Sequence, residues 1–403
     1  MSGSLAVHGA VDEGFGRVFD QFESNWNEFH ELGAGLTIYR RGRTVVDLWA
    51  GVSDRESGAP WQRDTPAVAF SVSKGVMAIC MHMLAESGEV DLDAPVSAYW
   101  PEFAQQGKDS ISVSSVMSHR AGLAYLDTPL SLQDVCDWPS MVRAIEVQPP
   151  NWPPDSAYAY HAVTVGFILG EVVRRVTGLS PGTFLSRRVV GPLSAQGWFG
   201  VNAKIRQHVA TLDVAPEEWG DAEQSALIDQ WLSTDDRAWR ALSLDGAIRL
   251  PIGSRRDLDY NRTEVLKAEI PAAGLIISAA GLSRIYASTV GEVDGVRLLS
   301  PATVERATRT RSFGPQEFSF GLPETDVRWG EGFQLPAPDG PPLLGPSSFG
   351  HGGASGSLGF ADADHQIGFG YINNRMSIGG DNRAKALVDA LRECLDDITD
   401  PLG

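Results

Sequence analysis

The sequence predicts a mixed α/β (α+β) fold: an antiparallel sheet, flanked by an N-terminal and a C-terminal helix, interrupted by an inserted all-helical domain. Three observations carry that expectation. Each end of the chain shows apolar residues at helical spacing, each of those stretches is accompanied by a strand hairpin, and the long middle has helical stripes and Pro- and Trp-rich loops but no convincing strand pair. The expected division is a discontinuous α/β domain of residues 1–90 and 268–403 around a helical domain of residues 91–267. Size agrees with two units, because 403 residues exceed the usual single domain of about 100–150.

Taken in order, Val11, Phe15, Val18, Phe19, Phe22, Trp26 and Phe29 form one apolar face and predict a long N-terminal helix that must lie on a sheet. Residues 35–39 and 44–50, rich in β-branched and aromatic side chains and separated by Arg40-Arg41-Gly42-Arg43, predict a hairpin. A second hairpin is expected where residues 358–363 and 367–372 flank Asp364-His365. At the end of the chain, Asp381 is placed to cap a helix whose stripe is Ala384, Leu387, Val388, Leu391, Cys394 and Leu395. In the middle, residues 163–176 carry a helical stripe, and Pro149-Pro150-Asn151-Trp152-Pro153-Pro154 is too short for a linker and reads as a rigid loop.

Composition excludes several classes of function. With 43% hydrophobic and 21% charged residues most of the chain should fold, and a net charge of −18 makes nucleic acid and anionic membrane poor partners. The longest nearly apolar stretch, residues 272–282, is about half the roughly 20 residues that a membrane-crossing helix needs, so no span is expected. Asp12 and Glu13 precede the first basic residue, Arg17, unlike a secretory signal, so the expected location is cytoplasmic. Cys80, Cys136 and Cys394 are odd in number and far apart, forming neither a disulfide framework nor a C-x-x-C pair. The eight histidines show no metal-ligand spacing, and no metal or organic cofactor is expected.

The chain has 28 Arg but only Lys74, Lys108, Lys204, Lys267 and Lys385. An amine kept for proton transfer cannot be replaced by a guanidinium, which never deprotonates. Ser71-Val72-Ser73-Lys74 is the one S-x-x-K in the sequence. It opens a helical stripe of Val72, Val76, Ile79, Cys80, Met83 and Leu84 that stops at Gly88, so Ser71 is expected at a helix N-terminus. Positions i and i+3 lie about 5 to 6 Å apart at Cβ, which lets the Lys74 amine reach the Ser71 hydroxyl. Burial and the helix dipole would lower the lysine pKa toward a usable base. The bland alternative is a serine that caps a helix beside a solvated lysine.

Two further segments complete a pattern. Tyr160-His161-Ala162 precedes the stripe of residues 163–176, and His351-Gly352-Gly353 precedes the second hairpin. In order and approximate spacing these resemble the serine β-lactamase and penicillin-binding-protein superfamily, its class C branch, and within that the family VIII carboxylesterases. Supporting segments are Ser118-His119-Arg120-Ala121-Gly122-Leu123, Gly170-Glu171-Val172-Val173 with Thr177-Gly178, Pro192-Leu193 and Ile270-Pro271-Ala272-Ala273-Gly274. The resemblance covers nearly the whole chain and implies a β-lactamase-like fold with the site between the sheet domain and the helical domain. It implies Ser71 as nucleophile, Lys74 as its activating partner and Tyr160 as second base, with the backbone N–H groups of Ser71 and Ala354 as oxyanion hole. It places His351, Gly352 and Gly353 on the strand beside the substrate. Trp152 is expected to touch substrate too. A phenol serves as a base only if neighbouring cations such as Lys74 favour the phenolate, and Tyr158 is the competing tyrosine. Tyr160 is preferred because Tyr-His-Ala followed by Val-Thr-Val-Gly is the version the esterase branch shows.

Two departures bear on substrate. Ala162 stands where β-lactamases have the Asn of Y-x-N, and His351 where they have the Lys of K-T-G. Loss of both leaves ester chemistry intact and disfavours β-lactam or D-alanyl peptide chemistry. Trp138, Trp152, Trp198, Phe199 and the prolines at 149, 150, 153 and 154 are expected round the cleft, suiting an apolar ester. Gly178-Leu179-Ser180-Pro181-Gly182 matches the G-x-S-x-G nucleophile elbow, but follows a helix rather than a strand and reads as a helix end and turn. A Ser-His-Asp triad built on His351 is a further rival, without an assignable acid. The expected function is a serine carboxylesterase acting on a small-molecule ester of short to medium acyl chain. The alternatives are an acyltransferase using the same acyl-enzyme, a β-lactamase or D-aminopeptidase-like amidohydrolase, and a non-catalytic binding protein.

Overall fold

The computed structural model describes residues 6–214, 222–255, 257–318, 326–376 and 381–398. From the first part of the chain come β1 (His8–Val11), β2 (Gly33–Arg40), β3 (Arg43–Asp54) and β4 (Ala59–Pro60). Three short strands follow, β5 (Ala67–Val68), β6 (Gly197–Phe199) and β7 (Leu275–Ile277). The last part supplies β8 (Arg328–Trp329), β9 (Gln334–Leu335), β10 (Ser348–Gly352), β11 (Leu358–Asp362) and β12 (Ile367–Asn373). The large antiparallel sheet runs β1-β3-β2-β12-β11-β10-β9-β8, with β4 paired to β3. Its two halves, far apart in sequence, meet where β2 pairs β12, Thr37 opposite Gly370.

One face of this sheet is covered by α1 (Gly16–Glu28) and the C-terminal helix Arg383–Asp397, whose Val18, Phe22, Leu387, Val388 and Leu391 share a core with Leu36, Ile38, Phe360 and Phe369. The other face carries the helix Ala279–Val290, packed on β12 and β2. Burying both faces is why the central strands are apolar almost throughout instead of alternating.

Three local expectations are corrected. Val11 is not helical: residues 8–11 pair with β3, Val11 opposite Val46, and the helix starts only after a turn at Gly14, whose φ is 91°. Pairing with β3 gives the backbone of residues 8–11 hydrogen-bond partners outside any helix. At the other end Asn382, not Asp381, is the N-cap residue; Asp381 accepts the backbone N–H of Arg383 and pairs with its guanidinium. Among the described residues the middle of the chain contains one strand after all, β6, which pairs with β7 in a small sheet ordered β5-β7-β6. Three residues are too few to show a period of two.

The small sheet leads directly to the serine. Ala69, just after β5, donates its N–H to Leu275 at 2.8 Å, and α2 (Val72–Glu86) starts two residues after Phe70. This helix is apolar nearly all round and packs against β10 and against the helix Thr164–Thr177. A helix without a polar face belongs in the middle of a protein, and so its N-terminus is a buried platform between sheet and helices.

Candidate active site

Ser71 occupies the N-cap position of α2, and the residue before it is unusual. Phe70 has a φ of 46°, a left-handed conformation that costs a bulky residue energy. Its surroundings hold it there. The ring is buried edge-on against Tyr260 at 4.9 Å, and the carbonyl accepts both the backbone N–H of Ser73 and the Ser73 hydroxyl. Ser73 Oγ in turn accepts the N–H of Leu275 at 3.0 Å, stitching the turn to the small sheet.

Lys74 Nζ lies 3.2 Å from Ser71 Oγ and donates to the Ala272 carbonyl at 2.8 Å. It also sits 4.7 Å above the centre of the Tyr160 ring. Burial pulls the amine well below its ordinary pKa. The same burial pushes the Tyr160 phenol above its ordinary value, and the neighbouring Ser71 hydroxyl draws it partly back. Low dielectric thus disfavours the charged form of both groups, the opposite of the condition under which a Lys74 cation would favour a Tyr160 phenolate. Tyr158 points elsewhere, its hydroxyl donating to the Gly314 carbonyl at 2.6 Å.

Tyr160 is held by three rings, of which sequence reasoning gave a role at the site to His351 alone. It stacks on Trp329 at 5.4 Å, meets His119 edge-on at 5.0 Å and lies 6.0 Å from His351. Backbone partners decide which nitrogen of each imidazole carries the proton, since a carbonyl can only accept and a backbone N–H can only donate. His351 Nδ1 lies 2.6 Å from the Gly352 carbonyl, so it is protonated and Nε2 presents a lone pair. His161 Nδ1 is likewise protonated toward Ala159 O, and its Nε2 accepts the Leu123 N–H at 2.8 Å. His119 Nδ1 accepts the His161 N–H at 3.1 Å, leaving its proton on Nε2. Burial lowers all three, His351 to about 3 and His161 to about 4, so each is neutral near pH 7. His351 has spent Nδ1–H on a neighbouring carbonyl and not on a carboxylate, which removes the triad reading.

The strand carrying His351 delivers the next loop to Ser71. At Gly353 a Cβ would lie 2.4 Å from the Ala69 carbonyl, so only glycine allows this approach. Gly352 is fixed from the other side by its N–H to Gln334 Oε1 at 2.9 Å. Among the described residues no protein acceptor takes the N–H of Ser71 or of Ala354.

The expected wall of the cleft is dispersed. Trp152 is buried, donates its indole N–H to Ala157 and packs on His161 and Phe318; it backs the Tyr160 segment from behind. Trp138 packs on Phe167 and donates to Glu171. Phe199 is in the core, and Trp198 lines a separate cavity of about 790 Å³ with Asp54, Gln62, Lys204 and His208. Trp329, far along the chain, takes the place beside Tyr160. The G-x-S-x-G decoy forms the expected helix end and turn: Gly178 caps one helix with a φ of 71°, and Ser180 caps the next, whose first residue is Pro181.

No helix among the described residues is long and apolar enough to cross a membrane. Comparison with known proteins agrees with this geometry. The chain is 31% identical over 377 residues to Esterase/beta-lactamase LipL of Mycobacterium tuberculosis (strain ATCC 25618 / H37Rv), spanning 92% of this chain and 83% of that protein. Among solved structures, a family VIII carboxylesterase superposes with a TM-score of 0.83 at 30% identity, covering 96% of this chain and 100% of its own. A penicillin-binding-protein homologue from Caulobacter crescentus gives the same TM-score, identity and coverage. The model of the family described as Beta-lactamase matches residues 19–393, nearly the full length over which strands and helices from both ends build the fold, and the chain belongs to that family.

Proposed function

We propose that this protein is a serine carboxylesterase that hydrolyses small-molecule esters of short to medium acyl chain through an acyl-enzyme on Ser71. The observation that carries the reading is a buried amine, Lys74 Nζ, within 3.2 Å of a serine hydroxyl at the N-terminus of a buried helix, its pKa lowered by that burial toward a usable base. The names of the esterase relatives support it. The Ser71 proton passes to Lys74 as Oγ attacks the ester carbonyl, and the negative charge on the former carbonyl oxygen is met by the N–H groups of Ser71 and Ala354. Tyr160, a neutral phenol over which Lys74 sits, delivers the proton to the leaving alkoxide and is reprotonated from the Lys74 ammonium. Water then attacks the acyl carbon by the same proton route in reverse. No step calls for a metal or organic cofactor. The residues His351, Gly352 and Gly353 border the substrate in this reading, and the sheet unit of residues 1–90 and 268–403 and the helical unit of residues 91–267 form the two walls of its cleft.

The two motif departures set the substrate class. A β-lactam or D-alanyl peptide presents an amide and a carboxylate; the Ala162 side chain offers no hydrogen bond to the first, and a neutral His351 offers no cation to the second. An uncharged ester needs neither. The expected result is a kcat/KM for p-nitrophenyl butyrate well above that for nitrocefin, an activated β-lactam. A ratio at or below one sinks the esterase reading in favour of β-lactam chemistry. Inactivity toward both, with no mass shift on Ser71, would make it a binding protein.

A pH profile tests the protonation states. Lys74 must be neutral to act, so activity is lost as pH falls through its lowered pKa; Tyr160 must be protonated, and its raised pKa moves the alkaline loss beyond the ordinary phenol value of about 10. The expected kcat/KM profile, corrected for spontaneous hydrolysis, has its acid limb displaced below the ordinary lysine range and its alkaline limb above the ordinary phenol value. A rate still climbing steadily between about pH 8 and 10 would mean that Lys74 keeps an ordinary lysine pKa, near 10.4 in model peptides.

A further inference from the structure

The loop that follows His351-Gly352-Gly353 is clamped from a side remote from the substrate. Two hydrogen bonds close it as a turn, Gly353 N–H to Ser357 O at 2.7 Å and Gly356 N–H to Gly353 O at 2.9 Å. These leave the Ala354 N–H unspent and turn the Ser355 carbonyl inward. There it accepts from Arg383 Nη2 at 2.8 Å. Arg383, at the start of the C-terminal helix, has a side chain only 2% exposed, which is exceptional for an arginine.

Every direction of the guanidinium is fixed. Nε donates to Asp381 Oδ1 at 3.0 Å, Nη1 to Glu31 Oε1 at 2.8 Å, and Nη2 also to the Arg375 carbonyl at 3.0 Å and Asp381 Oδ2 at 2.6 Å. Glu31 is fully buried and takes the Tyr371 hydroxyl on its other oxygen. The turn fits against this cluster without slack. Gly356 has a φ of 87°, and a Cβ there would lie 1.9 Å from Asp381 Oδ2. Gly353, at the opposite end of the turn, rests on the Ala69 carbonyl. The turn is thus pinned between the backbone that leads into Ser71 and a buried ion cluster drawn from both ends of the chain.

We propose that Arg383 is a positioning residue for oxyanion stabilisation: by holding the Ser355 carbonyl it sets the direction of the Ala354 N–H. The inference rests on the reading of Ala354 as an oxyanion donor. A donor aimed at a developing charge works only if its direction is fixed before the reaction, and a turn of a few residues has no internal means of fixing its rotation about its own ends. Arg383 and Asp381 do so while touching neither substrate nor Ser71.

The test compares Arg383→Met and Asp381→Asn with the parent protein, reading kcat and KM for p-nitrophenyl butyrate and the inhibition constant of butylboronic acid. That acid forms a tetrahedral boronate on Ser71 and probes the oxyanion hole without turnover. Asp381→Asn keeps the shape and leaves the Arg383–Glu31 pair in place, so it decides the matter if Arg383→Met does not fold. Deleting one oxyanion donor costs about 10²–10³ in kcat, so misdirecting it is expected to cost about tenfold to hundredfold. The boronate should weaken by the same factor with KM changed by less than about twofold, since transition-state mimics sense such donors and ground states do not. In an Ala354→Pro background, which removes the N–H, the same substitutions should add nothing. A fall in kcat with boronate affinity intact, or an undiminished effect in the Ala354→Pro background, overturns the positioning role alone. If Ala354→Pro by itself leaves kcat and boronate affinity unchanged, the oxyanion assignment falls and takes the proposal with it.

Discussion

Replacing Ser71 by alanine is expected to abolish turnover and the acyl-enzyme mass shift, whereas Ser180→Ala keeps most of the activity. Loss of a serine nucleophile in a concerted constellation lowers kcat by about 10⁶, leaving only what binding and the oxyanion donors supply. Ser180 is the rival because its surroundings spell the G-x-S-x-G elbow. Its hydroxyl, however, is committed to other work: it accepts the Thr183 N–H at 3.2 Å and donates to Glu269 Oε1 at 2.7 Å. Removing such a cap costs about 0.5–2 kcal/mol of stability, which shows as a lower Tm and not as lost turnover. Intact-protein mass spectrometry after p-nitrophenyl butyrate, together with a thermal melt, separates the two serines. An inactive, well-folded Ser180→Ala would overturn both the site and the mechanism drawn from it.

Lys74→Arg should be nearly as damaging as Lys74→Ala, although it preserves the formal charge of lysine. The pocket around Nζ offers a serine hydroxyl, a carbonyl and the face of an aromatic ring, and burial lowers the pKa of the amine. A guanidinium stays charged at any accessible pH, so it brings a buried cation and no base. Retention of more than about a tenth of the parent rate, equivalent to a barrier change of only ~1.4 kcal/mol, would count against Lys74 as the base. The paired tyrosines give a control. Tyr160→Phe should lower kcat, while Tyr158→Phe, which removes a hydroxyl bound to the Gly314 carbonyl, should act on stability alone.

What could be read from the residues follows from how local the physics is. Ser71 and Lys74 belong to one helix at i and i+3, so their meeting is implied by four residues and a helical stripe. The hairpins are equally local, and the two flanking helices announce themselves by spacing. Trp329 and His119 come beside Tyr160 only through the tertiary fold, and nothing within a few residues of either says so. The left-handed Phe70 is invisible for a related reason: its conformation is held by Ser73, Tyr260 and the small sheet together. Protonation was the least legible property. The sequence pairs a lysine with a tyrosine and invites an ion pair, but desolvation, a property of the packed whole, disfavours the charged form of each.

The cavity beside Trp198 carries a practical warning for ligand discovery. At about 790 Å³, framed by Asp54, Gln62, Lys204 and His208, it shares no lining residue with the Ser71, Lys74 and Tyr160 constellation. Any compound that binds the folded protein in preference to the unfolded chain raises its melting temperature by mass action, wherever it sits. A thermal-shift screen of this protein therefore has room to collect hits that never approach the nucleophile. Such hits would raise Tm and leave ester turnover unchanged, so hit selection has to begin from competition with the boronate on Ser71 and not from stabilisation.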